Sequence, residues 1–429
     1  MTSLRPVGFR KRVLVLAARW AWGLAALLAA GCTTGAAPAP STLRVATFNA
    51  SLNRDSAGQL GRDLADGANR QARQIAEILQ RVRPDVVLIN EFDYDASGAA
   101  AQRFHDHYLA VGQNGQAPLA YPFRYAPPVN TGVSPNTAAD ARYDFDNDGR
   151  AVASPGADGD RATARAYGND CFGYGEFPGQ YGFVVYSRFP IRTDRVRTFQ
   201  RFLWRDLPGA ILPPGWYSAE ELAVFRLSSK NHADIPIELA PGREFHLLAS
   251  HPTPPTFDGP EDRNGRRNHD EIRLWAEYLN GASFLRDDAG RSGGLAGGAR
   301  FVILGDLNAD PLDGDSQPNA IGQLLGHPRV NAAFVPASAG GVEQARVQGG
   351  ANARHRGDPA HDTADFGDRP PYGPGNLRID YVLPSRLGWR VRGGGVFWPA
   401  ADDPAAELVK ASDHRAVFLD LEWAAGDSP

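Results

Sequence analysis

From Leu43 onward, short apolar runs alternate with turn-rich stretches. Leu43–Asn49 alternates as a half-buried strand does. Asn69–Val82 carries apolar residues at Ala72, Ile75, Ala76, Ile78, Leu79 and Val82, a helical stripe that ends before Pro84. Asp85–Asn90 is a continuous apolar run and predicts a buried strand. The same reading places strands at Tyr181–Ser187, Ala223–Leu227, Phe245–Ser250, Arg300–Leu304, Arg378–Leu383 and Arg415–Leu421. Two more helices are predicted, Ala320–Leu325 and Asn268–Phe284, the latter with Asn268 as its cap and Glu271 at capping-box spacing. Strands dominate and helices are scattered between them, so the expected class is a mixed α/β (α+β) layered fold. Residues 127–179 and 340–375 have almost no apolar period and read as insertions over one face.

Composition narrows the class. The 429 residues are 42% hydrophobic and 22% charged, the balance of a globular protein. Gly (47) and Pro (33) stand well above their average shares of about 7% and 5%, which excludes a helix bundle and calls for many turns. The net charge is −4, and the five cations of residues 1–31 leave the remainder more acidic still. That is no footprint for tight, sequence-independent nucleic-acid binding. Beyond Cys32 the only lysines are Lys230 and Lys410. With two cysteines, Cys32 and Cys171, there is no disulfide framework.

Residues 1–31 read as an export signal: basic residues up to Arg19, the apolar run Trp20–Ala30, then Gly31. Eleven apolar residues are too short to span a bilayer. Leu28-Ala29-Ala30-Gly31-Cys32 resembles a bacterial lipobox, which implies lipidation of Cys32 and a lipid anchor as the chain's one membrane contact; an ordinary cleaved signal peptide is the alternative. The expected location is periplasmic or cell-surface, or secreted in the alternative. Residues 32–42 form a tether rich in Ala, Pro and Thr. Residues 43–423 follow.

The chemistry lies at the C-terminal ends of the apolar runs. Asn49 ends the first strand and Glu91 follows the second. His251 follows His246–Ser250, and Asp306 and Asn308 follow Phe301–Gly305. Asp380 sits inside Arg378–Leu383, while Asp413 and His414 precede the last strand. One such acid is ordinarily a turn residue. A whole series is different, because a sheet brings distant strand ends together. Converging carboxylates repel and need a cation, and hard oxygen donors suit Mg²⁺, Mn²⁺ or Ca²⁺ rather than zinc.

Thr47-Phe48-Asn49, Asn90-Glu91, Ser250-His251, Gly305-Asp306-Leu307-Asn308, Ile379-Asp380-Tyr381 and Ser412-Asp413-His414 together resemble the signature blocks of the endonuclease/exonuclease/phosphatase superfamily, in the family order. The resemblance implies a four-layer αββα sandwich, two packed mixed β-sheets flanked by helices, and one domain over residues 43–423. It implies Mg²⁺ or Mn²⁺ on Glu91, with Asn49 and Asp413 completing or supporting that site. It casts Asp306 as the residue orienting or deprotonating water, Asn308 as its positioner, and His414 and His251 as phosphate-facing histidines. Asp380 would fix the His414 tautomer. The secreted deoxyribonuclease branch pairs its first histidine with a Glu; here the matching place is Gln180, which cannot be a charged partner. The chain thus departs from that branch at His251, while the metal-and-aspartate half is complete.

Two further sets stand out. Asp144, Asp146 and Asp148 with Gly149 resemble the first half of a Ca²⁺ loop, although the twelfth position is Pro155, and Asp158 or Asp160 would supply a later ligand. Arg263, Arg266 and Arg267 follow His251 and suit bidentate phosphate. The expectation is an exported, monomeric, divalent-metal phosphoesterase that hydrolyses a phosphate ester. A secreted nuclease and a non-catalytic surface binding module are the alternatives, and the net charge weighs against nucleic acid.

Overall fold

The computed structural model describes residues 41–157, 159–368 and 373–424. The predicted signal, Cys32 and nearly all of the tether lie outside them. One six-stranded sheet runs β12 (Trp389–Val396), β13 (Val417–Trp423), β1 (Thr42–Leu52), β2 (Val86–Phe92), β4 (Phe183–Ser187), β3 (Phe123–Tyr125). A five-stranded sheet runs β11 (Asp380–Pro384), β8 (Phe301–Asp306), β7 (Arg243–Ser250), β6 (His232–Ala240), β5 (Arg197–Thr198). A short ribbon joins β9 (Ala364–Asp365) to β10 (Asn376–Leu377). Each large sheet is antiparallel except for one parallel pair: β1 with β2, and β7 with β8.

The parallel pairs follow from their connections. A parallel neighbour needs a long crossover, and each pair has a helix in it. Helix Arg70–Val82 links β1 to β2, and helix Arg263–Leu279 links β7 to β8. The first begins where predicted, with the Asn69 side chain accepting the Ala72 N–H. It ends at Arg83, which turns left-handed at φ 55 before Pro84.

Strand alternation then sorts the core into three layers. Leu43, Val45, Val86 and Leu88 face Leu247, Ala249, Val302 and Leu304 between the sheets. Ala46, Phe48, Val87 and Ile89 face the other way, onto Ile75, Ile78 and Leu79 of the first helix. Leu248, Phe301 and Ile303 pack on Ile272, Trp275 and Leu279 of the second. The result is the expected αββα sandwich of two mixed sheets with flanking helices.

Several local expectations change. The second crossover helix spans Arg263–Leu279 rather than 268–284. Gly281 at φ 77 closes its far end, and Asn268 is an interior helical residue whose amide donates to the carbonyls of Thr253 and Leu307. Glu271 is no capping-box partner: its two oxygens accept the N–H groups of Ser229 and Thr253. Ala223–Leu227 is not a strand. A Ser218/Glu221 capping box starts the short helix Ala219–Leu222, and Phe225 and Leu227 bury as single anchors. Strand β6 was hidden by buried polar His232 and Asp234 and by Pro236, and β12 by three glycines. The two insertions hold structure of their own, helices Arg161–Asn169 and Ala339–Gln348 and the β9–β10 ribbon, with Phe145 and Phe172 buried in the core. Among the described residues no helix is long and apolar enough to cross a membrane.

Where β8 passes β7 the chains approach closely. A Cβ on Gly305 would sit 2.0 Å from the Ser250 carbonyl oxygen, so only glycine fits beside Asp306. Gly305→Ala is expected to cost about 3 kcal/mol and to lower the denaturant midpoint at unchanged slope. Wild-type stability in urea unfolding would contradict this packing.

Candidate active site

The same alternation that fills the sandwich also builds the site. On β1 the inner-facing series Leu43, Val45 continues to Thr47 and Asn49. On β2, Val86 and Leu88 lead to Asn90. On β7, Leu247 and Ala249 lead to His251; on β8, Val302 and Leu304 lead to Asp306. Asp380 of β11 pairs in register with Asp306. Parallel partners end at the same edge, so the apolar interlayer gives way there to a polar cluster.

Asp306 is its centre and is 1% exposed. Its Oδ2 accepts the Asn49 amide at 3.0 Å and lies 3.3 Å from His251 Nε2 and 3.7 Å from His414 Nε2. Its Oδ1 accepts the Asn308 N–H at 2.9 Å, and Asn308 sits at φ 50. The Asn49 amide nitrogen also reaches Glu91 Oε1 at 3.1 Å, and Asn53 holds Glu91 Oε2 at 2.7 Å. Glu91 adopts φ 55, a strained conformation of the kind that clusters at functional sites. His414 Nδ1 lies 2.9 Å from Asp380 Oδ2.

Charge follows from these contacts. Burial alone would lower the His414 imidazolium, but Asp380 and Asp306 outweigh it and push it up to about 10. Burial pushes Asp380 up to about 6 against the pull of His414. Burial raises Asp306 too, yet His414 and His251 hold it well below the usual carboxylate range. His251 is lowered by burial and by the Lys230 cation. At neutral pH the cluster is therefore a charged His414 between two carboxylates, with a neutral His251 beside them.

The donor set fits a hard divalent cation. Glu91 and Asp306 share one amide hydrogen-bond donor, so two carboxylates stand side by side, and oxygen ligands of this kind suit Mg²⁺ or Mn²⁺. Asn49 offers these acids its nitrogen while its oxygen accepts the Ser51 N–H at 3.2 Å, so it supports Glu91 rather than presenting an oxygen. Asp413 is exposed at the rim and accepts the Ser51 hydroxyl at 3.0 Å. Asp306, Asp380 and His414 themselves hold ligand atoms within 4.8 Å of one another.

Other expected residues fall elsewhere. Gln180 is not near a histidine partner's role: its amide donates to the Arg54 carbonyl and accepts the Glu176 N–H. Arg263, Arg266 and Arg267 each contact the protein to a different extent. Arg263 pairs with Glu261, Arg266 donates to the Glu261 carbonyl, and Arg267 is buried against the carbonyls of Leu227, Phe172 and Arg226. Arg267 thus spends Nε and Nη2 on backbone carbonyls, whereas Arg263 and Arg266 keep N–H donors outside these contacts. In the acidic loop, Asp144 and Asp146 converge with Asp170, not with Asp148. Asp148 accepts the Arg150 N–H instead, and Asp160 caps helix Arg161–Asn169; Asp158 lies outside the described residues.

Three residues escaped the sequence reading. Thr363 donates its hydroxyl to Asp380 Oδ2 at 2.8 Å and accepts the N–H groups of Ile379 and Asp380. Phe366 sets its ring edge-on to His414 at 5.4 Å. Lys230 is 7% exposed beside His251. The first two lie in the 340–375 insertion, whose composition looked like loop. The third was visible as one of two lysines beyond Cys32, at the start of a strand the pattern concealed.

The sequence matches the model of the Endonuclease/Exonuclease/phosphatase family over residues 46–414, and the chain belongs to that family, whose members are phosphoester hydrolases. Among solved structures, an endonuclease/exonuclease/phosphatase from Beutenbergia cavernae is 17% identical with a TM-score of 0.49, covering 90% of this chain and 72% of that one. Sphingomyelinase C from Streptomyces griseocarneus is 15% identical (TM-score 0.42; 88% and 99% covered). The human Nocturnin catalytic domain is 14% identical (TM-score 0.42; 90% and 95% covered). No curated protein matches the sequence.

Thr363→Val leaves two buried N–H groups without an acceptor and removes the hydroxyl on Asp380. It is expected to cost about 1–3 kcal/mol in chemical unfolding, while Thr363→Ser stays near wild type. Nearby, burial and the charges of Asp310, Asp313 and Asp358 push Asp362 up to about 8. Between pH 4 and pH 8 the unfolded chain has released this proton and the folded chain has not. Stability therefore falls as pH rises through that window and levels off above it. Asp362→Asn should gain several degrees in melting temperature over wild type at pH 8 but not at pH 4; a gap independent of pH would refute the assignment.

Proposed function

We propose that this protein hydrolyses a phosphate ester by in-line attack of water, with Asp306 as the centre of the reaction site. The observation that carries the reading is the convergence of Asn49, His251 and His414 on Asp306 Oδ2, next to Glu91. The depressed pKa of Asp306 keeps it an acceptor for the attacking water. Asn308, locked by its N–H to Asp306, holds that water and the phosphate in register. His414, kept charged by Asp380, donates to a non-bridging phosphoryl oxygen as negative charge grows there. Glu91 would hold a divalent cation, Mg²⁺ or Mn²⁺, which would supply charge neutralisation to the phosphoryl group. Because His251 lacks a carboxylate partner at Gln180, it serves as a neutral donor rather than as a proton relay.

The overall negative charge favours a small or extracellular phosphoester over a nucleic-acid polymer. Residues 1–32 support export with a lipid anchor at Cys32, which metabolic labelling of wild type and Cys32→Ala would test.

The full chain should be assayed with Mg²⁺ and Mn²⁺ on bis-p-nitrophenyl phosphate, inositol hexakisphosphate, sphingomyelin and plasmid DNA. Glu91→Gln and Asp306→Asn are each expected to lose at least about 100-fold in kcat/KM on whichever ester turns over. Turnover of none of the four would remove the enzyme reading. Cleavage of plasmid alone would move it to a nuclease, and full activity in both variants would remove the site.

A further inference from the structure

The strand ends away from Asp306 form a second edge with its own chemistry. β1, β2, β7 and β8 all finish at the reaction site, so their first residues share the opposite edge. Both sheets meet there at Trp423, the last residue of β13. The centre of its ring lies 4.6 Å from the Arg243 guanidinium and 4.1 Å from that of Arg300. Arg243 opens β7 and Arg300 precedes β8. Trp389, the first residue of β12, packs edge-on to Trp423 at 5.3 Å. Arg386 in the turn before β12, and Arg390 and Arg392 on that strand, stand exposed alongside.

The acids of this edge are matched one by one. Glu422 holds Arg392, Asp420 holds Arg44, Glu244 holds Arg195 and Asp85 holds Arg188. Arg243, Arg386 and Arg390 have no ion pair among the described residues. The chain as a whole carries −4, so surplus arginine here is a segregation of charge and not a reflection of composition. The described chain also enters at this edge: the Trp423 N–H donates to the carbonyl of Ser41, where the described residues begin. Residues 33–40 link Ser41 to Cys32, and a chain of that length spans at most about 30 Å. A lipid on Cys32 would hold this edge within that reach of a bilayer, while Asn49 stands about 23 Å further along β1. Tryptophan settles at headgroup level, and arginines clustered beside a membrane attachment are drawn to anionic lipid.

We infer that this edge is a docking face for anionic phospholipid headgroups, on which the protein sits with its reaction site turned away from the bilayer. The orientation rests on the lipid-anchor reading above. Arg386, Arg390 and Arg392 supply the attraction, and Trp423 between Arg243 and Arg300 marks the point of attachment. The substrate is then a soluble ester that reaches the site from the side away from the membrane, and not a lipid of the bilayer to which the protein is tied.

The test compares full-length proteins that all carry Cys32→Ala, so that no lipid contributes. They are the parent, a variant with Arg386→Gln, Arg390→Gln and Arg392→Gln, and a control with Arg142→Gln, Arg161→Gln and Arg201→Gln. Residues 1–31 are common to all, so differences report the folded part. Binding is read by cosedimentation with vesicles of phosphatidylcholine alone or with about one third phosphatidylglycerol, at low and high salt. The parent and control are expected to prefer the anionic vesicles, and high salt to remove the preference. The first variant should bind those vesicles at least about tenfold more weakly than the parent. Equal affinity of the parent for both vesicles, parent-like binding by the first variant, or an equal loss in the control would overturn the inference. So would weaker plasmid binding in the first variant with vesicle binding unchanged, which would make the edge a nucleic-acid surface. Turnover of bis-p-nitrophenyl phosphate should match between vesicle-bound and free parent; its loss on vesicles would put the reaction site against the bilayer and overturn the orientation. If the wild type carries no lipid at Cys32, the anchor reading fails, and the vesicle comparison still decides for or against the docking face.

Discussion

One buried carboxylate ties the two halves of the sandwich together. Asp306 stands on the five-stranded sheet, yet it bonds to Asn49 of the six-stranded sheet and lies close to His414, which leads into β13 of that same sheet. A carboxylate at 1% exposure is expensive to keep ionised. It stays ionised because donors from both sheets reach it, and those donors arrive only if the sheets pack in one relative register. The apolar interlayer supplies the packing energy, while Asp306 penalises any slip. Gly305, forced by the approach of Ser250, belongs to the same constraint.

Much of this was legible along the chain. Strands β1, β2, β7 and β8 announced themselves as apolar runs ending in Asn, Glu, His and Asp. The inner-face parity of Val45 and Asn49, or Leu304 and Asp306, follows from alternation alone. What stayed hidden was polar burial. His232 and Asp234 sit inside β6, and Asn268 and Glu271 face inward from a helix, because each finds a partner that only tertiary structure brings. A window of sequence carries no trace of those partners. The burial of Arg267 was hidden for the same reason, since the backbone carbonyls that absorb it lie on segments far from it in sequence.

The insertions also change meaning once seen in place. The 340–375 segment looked like a surface embellishment, yet Thr363 anchors Asp380 and Phe366 flanks His414. Ala364 even bridges to the backbone of His414. A segment poor in apolar period can still be structural when its contacts are hydrogen bonds to a buried acid. Its Gly and Pro content reflects the turns needed to bring Thr363 back to the sheet edge.

The distance along the chain between Asn49 and His414 has one more effect. The residues around Asp306 come from six places spread over nearly the whole described chain, so no fragment and no partly folded intermediate contains the cluster. Loop closure on that scale comes late in folding. An unfolded polypeptide carries the letters of the site and none of its geometry. The cluster is therefore assembled only once the last strand, β13, has docked.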